Sequence, residues 1–389
     1  MSNQKKLKIA IATRQMVMGG IEKSLIDLCN ALLNIGAEVT LYLEASGGEL
    51  FDVIPPQVEI VDIFKAVKNA PAALIENLKK SKISSACSLI YSYINNRFHG
   101  DPVKAWCATT HYLIEPESFY DYAFSYGSPV SFSVIFVDKI LHARRKFAWI
   151  HNDVTQISLD IRKYSRIFEN YDKIICVSKE ARASFVKLLP QYKERSTIFY
   201  NIIDKKEIMS KSAQNIDIDR FEGKTLLTTG RLCSEKGQDI IPNIAKRLLD
   251  AGYNIRWYCV GDGEDRGKIE AQIRSLEVES HVILLGSQQN PYPFFKLADI
   301  YIQPSRHEGF GITITEAKIL GLPIVTTNFA GATEQITDGE TGLIVHFDED
   351  ELYNAIVSLL EDSTLCEKIK QNLKTDPKNC VSDLQELLK

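Results

Sequence analysis

The sequence predicts an α/β protein made of two doubly wound, Rossmann-like domains. Three observations predict it. Short apolar runs of strand length alternate with segments of helical period, the pattern of parallel strands with helices on both faces. That alternation runs twice along the chain, interrupted by residues 205–222, which are polar and carry no regular apolar period. The length of 389 residues suits two domains of ordinary size, each able to bury its own core. The expected division is a first domain over 1–204, a linker region over 205–222 and a second domain over 223–364.

The first series opens with the strand KLKIAIAT (6–13), a loop over 14–20, and a helix over 21–33 that sets Ile21, Leu25, Leu28 and Leu32 along one face. Gly36 ends the helix and AEVTLYLE (37–44) is the second strand, which completes one βαβ unit. Residues 83–135 hold aromatic-rich pieces such as SFYDYAFSYG and read as short strands, helices and loops. Regular pattern returns at 147–150, which ends at His151, then at KIICVS (173–178), a helix from Lys179, and TIFYN (197–201). The second series runs TLLTTG, NIRWYCVG, HVILLG, DIYIQPS, PIVTT and GLIVHF. Helices fall near 238–249, 264–276, 293–297, 314–320 and 349–361. In such sheets ligands sit at the carboxyl ends of the strands, so the loops that follow strands are where chemistry is sought.

Composition narrows the class. The chain is 45% hydrophobic and 25% charged, ordinary for a globular protein. Eight cysteines are scattered with no C-x-x-C spacing and read as small buried thiols of a reducing cytosol. The short apolar run after Lys5, Lys6 and Lys8 does not suit a signal peptide, and no run approaches a spanning helix. A cytoplasmic location is therefore expected. The net charge of −4 conceals an asymmetry: 27 Lys and Arg against 21 Asp and Glu in residues 1–206, 19 against 29 in the remainder. The basic half, with clusters at 79–82 and Arg144-Arg145-Lys146, suits peripheral contact with anionic headgroups at the inner face of the cell membrane, or is plain solvated surface. An acidic whole chain without a binding motif argues against nucleic acid.

Four places can carry chemistry. After DIYIQPS comes Arg306-His307-Glu308-Gly309-Phe310-Gly311, then a helix beginning Ile312-Thr313-Ile314-Thr315-Glu316. Gly309 and Gly311 allow close backbone approach, and the N–H groups at the helix start suit a phosphate. Glu308 and Glu316 can hold two hydroxyl-rich parts of one ligand; the bland alternative is a cap and a surface residue. After TLLTTG, Arg231 offers a forked donor and Lys236 a point charge, flanked by Gly230 and Gly237, and both suit a diphosphate. Gly19-Gly20 opens the first helix and either approaches a phosphate or makes a tight turn; it is not G-x-G-x-x-G, which disfavours a nicotinamide enzyme. His151 ends a strand, where a neutral imidazole can bond a sugar hydroxyl. The other histidines show no ligand spacing and no D-x-D pair sits in a promising loop, since Asp348 and Asp350 look like a helix cap. No metal and no cofactor are expected.

Together these residues resemble glycosyltransferase family 4, the retaining group 1 glycosyl transferases of GT-B fold. The resemblance is close over 225–347 and looser over the first strand-loop-helix, His151 and Tyr200-Asn201-Ile202-Ile203-Asp204. It implies two Rossmann-like domains facing across a cleft, an acceptor-binding first domain and a second that binds a nucleotide-diphosphate sugar. It implies Arg231 and Lys236 on the donor diphosphate, Glu308 on the sugar, the backbone of Phe310–Thr313 on sugar and phosphate, and Glu316 on the ribose. Gly20 would line the phosphates and His151 touch the sugar. His151, Arg231, Lys236 and Glu308 are the expected catalytic set; Gly19, Gly20, Gly309, Gly311 and Ile312 join them at the donor. A UDP-sugar, hexose or N-acetylhexosamine, is the favoured donor, and a cell-envelope, capsule or exopolysaccharide glycan on a lipid the favoured acceptor. In this fold the last helix often crosses back, and residues 365–389 can do so, interrupted by Asp376-Pro377. Two departures stand out: Ile21-Glu22 follows the glycine pair, and Asn201-Ile202-Ile203-Asp204 lacks the family's glycine.

Two other readings share the architecture. A nucleotide-sugar 2-epimerase is disfavoured by the intact Arg231, Lys236, Glu308 and Glu316. The same four residues disfavour a non-catalytic partner subunit.

Overall fold

In the computed structural model the chain forms two compact units, Met1–Ile202 with Asp383–Lys389, and Ile203–Ser382. The structure describes residues 6–65, 102–110, 118–157, 160–219, 221–329, 331–374 and 381–389, with Cys87, Leu113 and Pro116. The basic cluster at 79–82, most of the aromatic stretch up to 101, Asp376-Pro377 and Cys380 lie outside the described residues.

The first unit is built on a seven-stranded sheet of order β3-β2-β1-β4-β5-β6-β7. Its strands are β1 Lys8–Thr13, β2 Glu38–Leu43, β3 Glu59–Asp62, β4 Tyr120–Ser125, β5 Ala143–Ile150, β6 Lys173–Cys176 and β7 Ser196–Ile198. All neighbours are parallel. Ile9 to Ala12 are fully buried, which is why this strand reads as a continuous apolar run. Strand order reverses between β1 and β4, so the loops leaving these strands frame a crevice at the carboxyl edge. β4 forms within the stretch that reads as short strands, helices and loops. Its aromatic residues give little alternation, yet Tyr122 and Phe124 pack on Phe147 of β5 at 5.5 and 5.6 Å between ring centroids. β3 was missed because EIVD is short and carries a charge at each end.

The second unit is a six-stranded parallel sheet of order β10-β9-β8-β11-β12-β13. Its strands are β8 Lys224–Thr229, β9 Ile255–Val260, β10 Val282–Gly286, β11 Ile300–Gln303, β12 Ile324–Thr327 and β13 Leu343–Val345. Successive residues point to opposite faces. Leu226, Trp257 and Ile302 enter one core cluster, while Leu227, Tyr258 and Tyr301 enter the other. The reversal of order falls between β8 and β11, which sets the loops after these two strands side by side.

Two segments differ from the reading of their sequence, one in having a helix and the other in where its helix packs. Residues Lys205–Ser212 form a helix capped by Asp204, whose carboxylate accepts from the Lys206 and Glu207 N–H groups at 2.8 and 3.0 Å. Only Ile208 and Ser212 of this helix are buried, so it has no apolar stripe to read. Helix Ser363–Lys374 places Ile369 and Leu373 in the second unit's core. The last residues group with the first unit, where the Tyr122 hydroxyl donates to the Leu388 carbonyl.

Candidate functional site

The second unit brings the loops after β8 and β11 into direct contact. Gly237 has φ +66°, and a Cβ there would lie 1.9 Å from the Pro304 carbonyl oxygen. Only glycine lets the two backbones approach this closely. Arg306 fastens the junction. Its N–H donates to the Glu235 carbonyl at 2.8 Å, and its guanidinium donates to the Ser234 carbonyl at 2.8 Å. The same guanidinium forks onto Asp239 at 2.7 and 2.8 Å and stacks over the Phe347 ring at 4.1 Å. The hydrogen bonds from Arg306 hold the Asp239 carboxyl below the usual carboxylate range.

This junction makes Lys236 and Glu308 meet: the lysine Nζ donates to Glu308 Oε1. Glu308 Oε1 also accepts from Gln303 Nε2 at 2.9 Å. Gln303 is 2% exposed, and its side-chain Oε1 accepts from Thr313 Oγ1 at 2.6 Å and the Tyr301 hydroxyl at 3.0 Å. One amide thus links the loop carboxylate to the first turn of helix Ile312–Ile319. Gly311, at φ +80°, caps that helix with its would-be Cβ 2.9 Å from the Phe329 ring. The N–H groups of a first helical turn have no partner within the helix, so an anion is favoured there. Arg231 is exposed at the opening of the β8 loop, and its charge helps hold the Glu235 carboxyl low, after the larger effect of the Cys233 thiol.

Glu316, inside that helix, is 2% exposed. Tyr292 donates its hydroxyl to Oε1 at 3.0 Å, and Oε2 is buried with no hydrogen-bond partner. A buried carboxylate oxygen without a donor is costly, and a ligand hydroxyl would relieve it.

Gly19, Gly20 and His151 belong to the first unit. Gly19 is the N-cap of helix Gly20–Asn34 with φ −161°, an extended conformation open to any residue; a Cβ there would meet the Glu22 side-chain carboxylate. His151 follows β5, is 4% exposed and lies edge-on to Tyr126 at 4.5 Å. Burial lowers its pKa to about 3, so the imidazole is neutral near pH 7, and its Nε2 is buried without a partner. A cavity of about 710 Å³ opens at the opposite, amino edge of this sheet, lined by Lys8, Glu38, Thr40, Glu59 and Tyr120, and includes none of the candidate residues.

Sequence reasoning missed Gln303, Arg306, Asp239 and Tyr292. Gln303 had a signal, a polar residue inside an otherwise apolar buried strand, which demands a partner. The others are ordinary loop and helix residues whose partners are 24 to 72 positions away.

Residues 214–376 match the family described as "Glycosyl transferases group 1". Among curated relatives, the Campylobacter jejuni N-acetylgalactosamine-N,N'-diacetylbacillosaminyl-diphospho-undecaprenol 4-alpha-N-acetylgalactosaminyltransferase is 28% identical over 216 residues, 55% of this chain and 58% of that protein. The Staphylococcus aureus capsular polysaccharide biosynthesis glycosyltransferase CapM is 31% identical over 145 residues, 37% of this chain and 38% of the relative. The chain spans about half the length of the curated relatives it matches. Among solved structures, Anabaena HepE in complex with UDP and glucose shares the fold with a TM-score of 0.71 at 18% identity, covering 98% of each chain. WaaG, a glycosyltransferase involved in lipopolysaccharide biosynthesis, gives 0.67 at 17%, covering 98% of this chain and 99% of that one. These likenesses make the fold GT-B. Among the described residues no helix is long and apolar enough to cross a membrane.

Proposed function

We propose that this chain, a member of the group 1 glycosyl transferases through residues 214–376, moves a hexose or N-acetylhexosamine from a nucleotide-diphosphate sugar to a cell-envelope glycan acceptor. The observation that carries the reading is Glu316. A carboxylate buried one turn inside the helix that follows Gly309-Phe310-Gly311, with one oxygen lacking a donor, suits the hydroxyls of a ribose. The helix start then meets the diphosphate, Arg231 and Lys236 neutralise the charge that grows on the leaving phosphate, and Glu308 holds the sugar. No metal is invoked, because these groups meet the diphosphate charge. In this reading the donor and acceptor share one face: the leaving phosphate oxygen takes the acceptor proton, the anomeric configuration is kept, and no carboxylate becomes a covalent nucleophile. His151, neutral and with Nε2 unpartnered, is suited to a sugar hydroxyl, and Gly19-Gly20 to the phosphates.

A UDP-sugar is favoured because HepE holds UDP and glucose on the same fold. A lipid-linked, cell-envelope acceptor is favoured by the undecaprenol-linked substrate named for the Campylobacter relative and the capsule named for CapM. A cytoplasmic site with peripheral contact to anionic lipid, and no nucleic-acid partner, belong to the same proposal. The test is a thermal-shift screen against UDP-, GDP- and ADP-sugars followed by donor hydrolysis, since a ligand of the native state raises Tm. Absence of any shift at millimolar donor, with or without added Mg²⁺, would defeat the reading.

A further inference from the structure

We infer that Gln335 is a positioning residue that sets the direction of the N–H groups at the anion end of the donor site. This rests on the donor-site reading above.

Gln335 lies outside every motif singled out in the sequence. It ends the short helix Ala332–Gln335, which follows β12 and is anchored by Ala332 and Ile336 in the core beside Phe329. The side chain is 8% exposed. Its Nε2 donates to two consecutive carbonyls of the glycine-rich loop, that of Phe310 and that of Gly311, the second at 3.3 Å. Its Oε1 accepts from Thr315 Oγ1 at 2.6 Å, in the first turn of helix Ile312–Ile319. Its own backbone carbonyl accepts from Lys318 Nζ at 2.6 Å, one turn further along the same helix. Gly331, at φ +82°, permits this approach: a Cβ there would sit 3.1 Å from the Gly309 and Phe310 carbonyl oxygens.

A trans peptide is planar, so its C=O and the following N–H point in opposite directions. Drawing the Phe310 carbonyl toward Gln335 turns the Gly311 N–H away from it. Drawing the Gly311 carbonyl the same way turns the Ile312 N–H away as well. These are the N–H groups that a phosphate would meet. The Gly311 carbonyl also accepts from the Ile314 N–H at 2.9 Å, so Gln335 adds a second hold on that peptide plane, and a carbonyl turned outward would repel the anion. The amide of Gln335 is suited to this task because one end donates to the loop carbonyls while the other is held by Thr315, so the group cannot flip without losing both.

The experiment measures, by calorimetry, the affinity of the full chain for UDP, GDP or ADP, whichever binds tightest, and for the matching nucleoside. Variants are Gln335→Leu, which keeps the bulk and removes the donors, and Thr315→Val, which frees the amide without touching the loop. The expected result is a drop of about tenfold in diphosphate affinity for Gln335→Leu and a smaller one for Thr315→Val, with nucleoside affinity unchanged in both. Equal losses for diphosphate and nucleoside would reduce Gln335 to a structural role and overturn the inference, as would unchanged diphosphate affinity. Should Gln335→Leu not fold, Thr315→Val decides by the same comparison. A wild-type protein that binds no nucleoside diphosphate fails the donor-site reading itself and takes this inference with it.

Discussion

Lys236 and Glu308 are bonded to each other, although they sit 72 residues apart on loops after different strands. The two side chains that the donor-site reading assigns to opposite ends of a sugar diphosphate thus neutralise one another before any donor is present. Their side chains are 25% and 12% exposed, so the pair is only partly screened by water. A donor must draw the ammonium toward phosphate while Gln303 keeps hold of the carboxylate. Lys236→Ala is expected to lower turnover by roughly 10²–10³-fold, the usual cost of removing one stabilising donor from a developing oxyanion. Steady-state kinetics with the identified donor measures it, and unchanged turnover would remove Lys236 from the chemistry.

Glu316 should separate stability from binding. Its Oε2 has no donor in the folded chain, so Glu316→Gln exchanges one unpartnered buried polar atom for another of the same size and removes no hydrogen bond. Tm is expected to hold or rise. Nucleotide affinity is expected to fall roughly 10- to 100-fold, the equivalent of one or two charge-assisted hydrogen bonds. A joint loss of Tm and affinity would mean that the residue is a core support only.

Gly237 and Gly321 form a matched pair. Both have positive φ, +66° and +73°, but a Cβ at Gly237 overlaps Pro304 while one at Gly321 meets nothing within 4 Å. Gly321→Ala should show only the conformational cost, about 1–2 kcal/mol. Gly237→Ala should cost more and should also weaken nucleotide binding, because it drives the β8 and β11 loops apart. Chemical denaturation and calorimetry on the two variants give the comparison; equal effects would show that loop contact is unimportant.

His151 sets a pH dependence whose sign follows from its burial. Its folded pKa is lowered from 6.5 to about 3. Between those values the unfolded chain binds a proton that the folded chain does not, so stability falls as pH drops below about 6.5 and levels off near 3. One such group contributes a slope of at most about 1.4 kcal/mol per pH unit in that window. Unfolding followed from pH 7 to 4 should show a shallower slope in His151→Gln than in the wild type. The same burial means that activity should show no limb near pH 6.5 that His151→Gln abolishes.

The second unit was legible where one local rule sufficed. DIYIQPS reads as a strand because it is buried on both faces, and the start of helix Glu349–Glu361 was readable because Asp348 caps it, accepting from the Asp350 and Glu351 N–H groups at 2.9 and 3.0 Å. The positions of Glu308 in a loop and Glu316 in a helix followed from the same local pattern. What stayed hidden depends on pairs far apart in sequence. β4 is stabilised by rings on β5, and helix Lys205–Ser212 by Asn290, which donates to the Lys211 carbonyl at 3.0 Å from 79 positions away. Lys236 bonded to Glu308, and Arg306 forked onto Asp239, are products of strand order. No spacing within either loop encodes them.

The last seven residues group with the first unit, although the 180 before them form the second. Leu384, Leu387 and Leu388 are buried, and Lys173 donates to the Leu387 carbonyl at 3.4 Å alongside the Tyr122 bond to Leu388. In topological terms the second unit is therefore an insertion within the first. During synthesis the ribosome finishes the second unit's sequence before the first has all its pieces. Removing residues 383–389 would thus perturb the half of the protein that was made earliest.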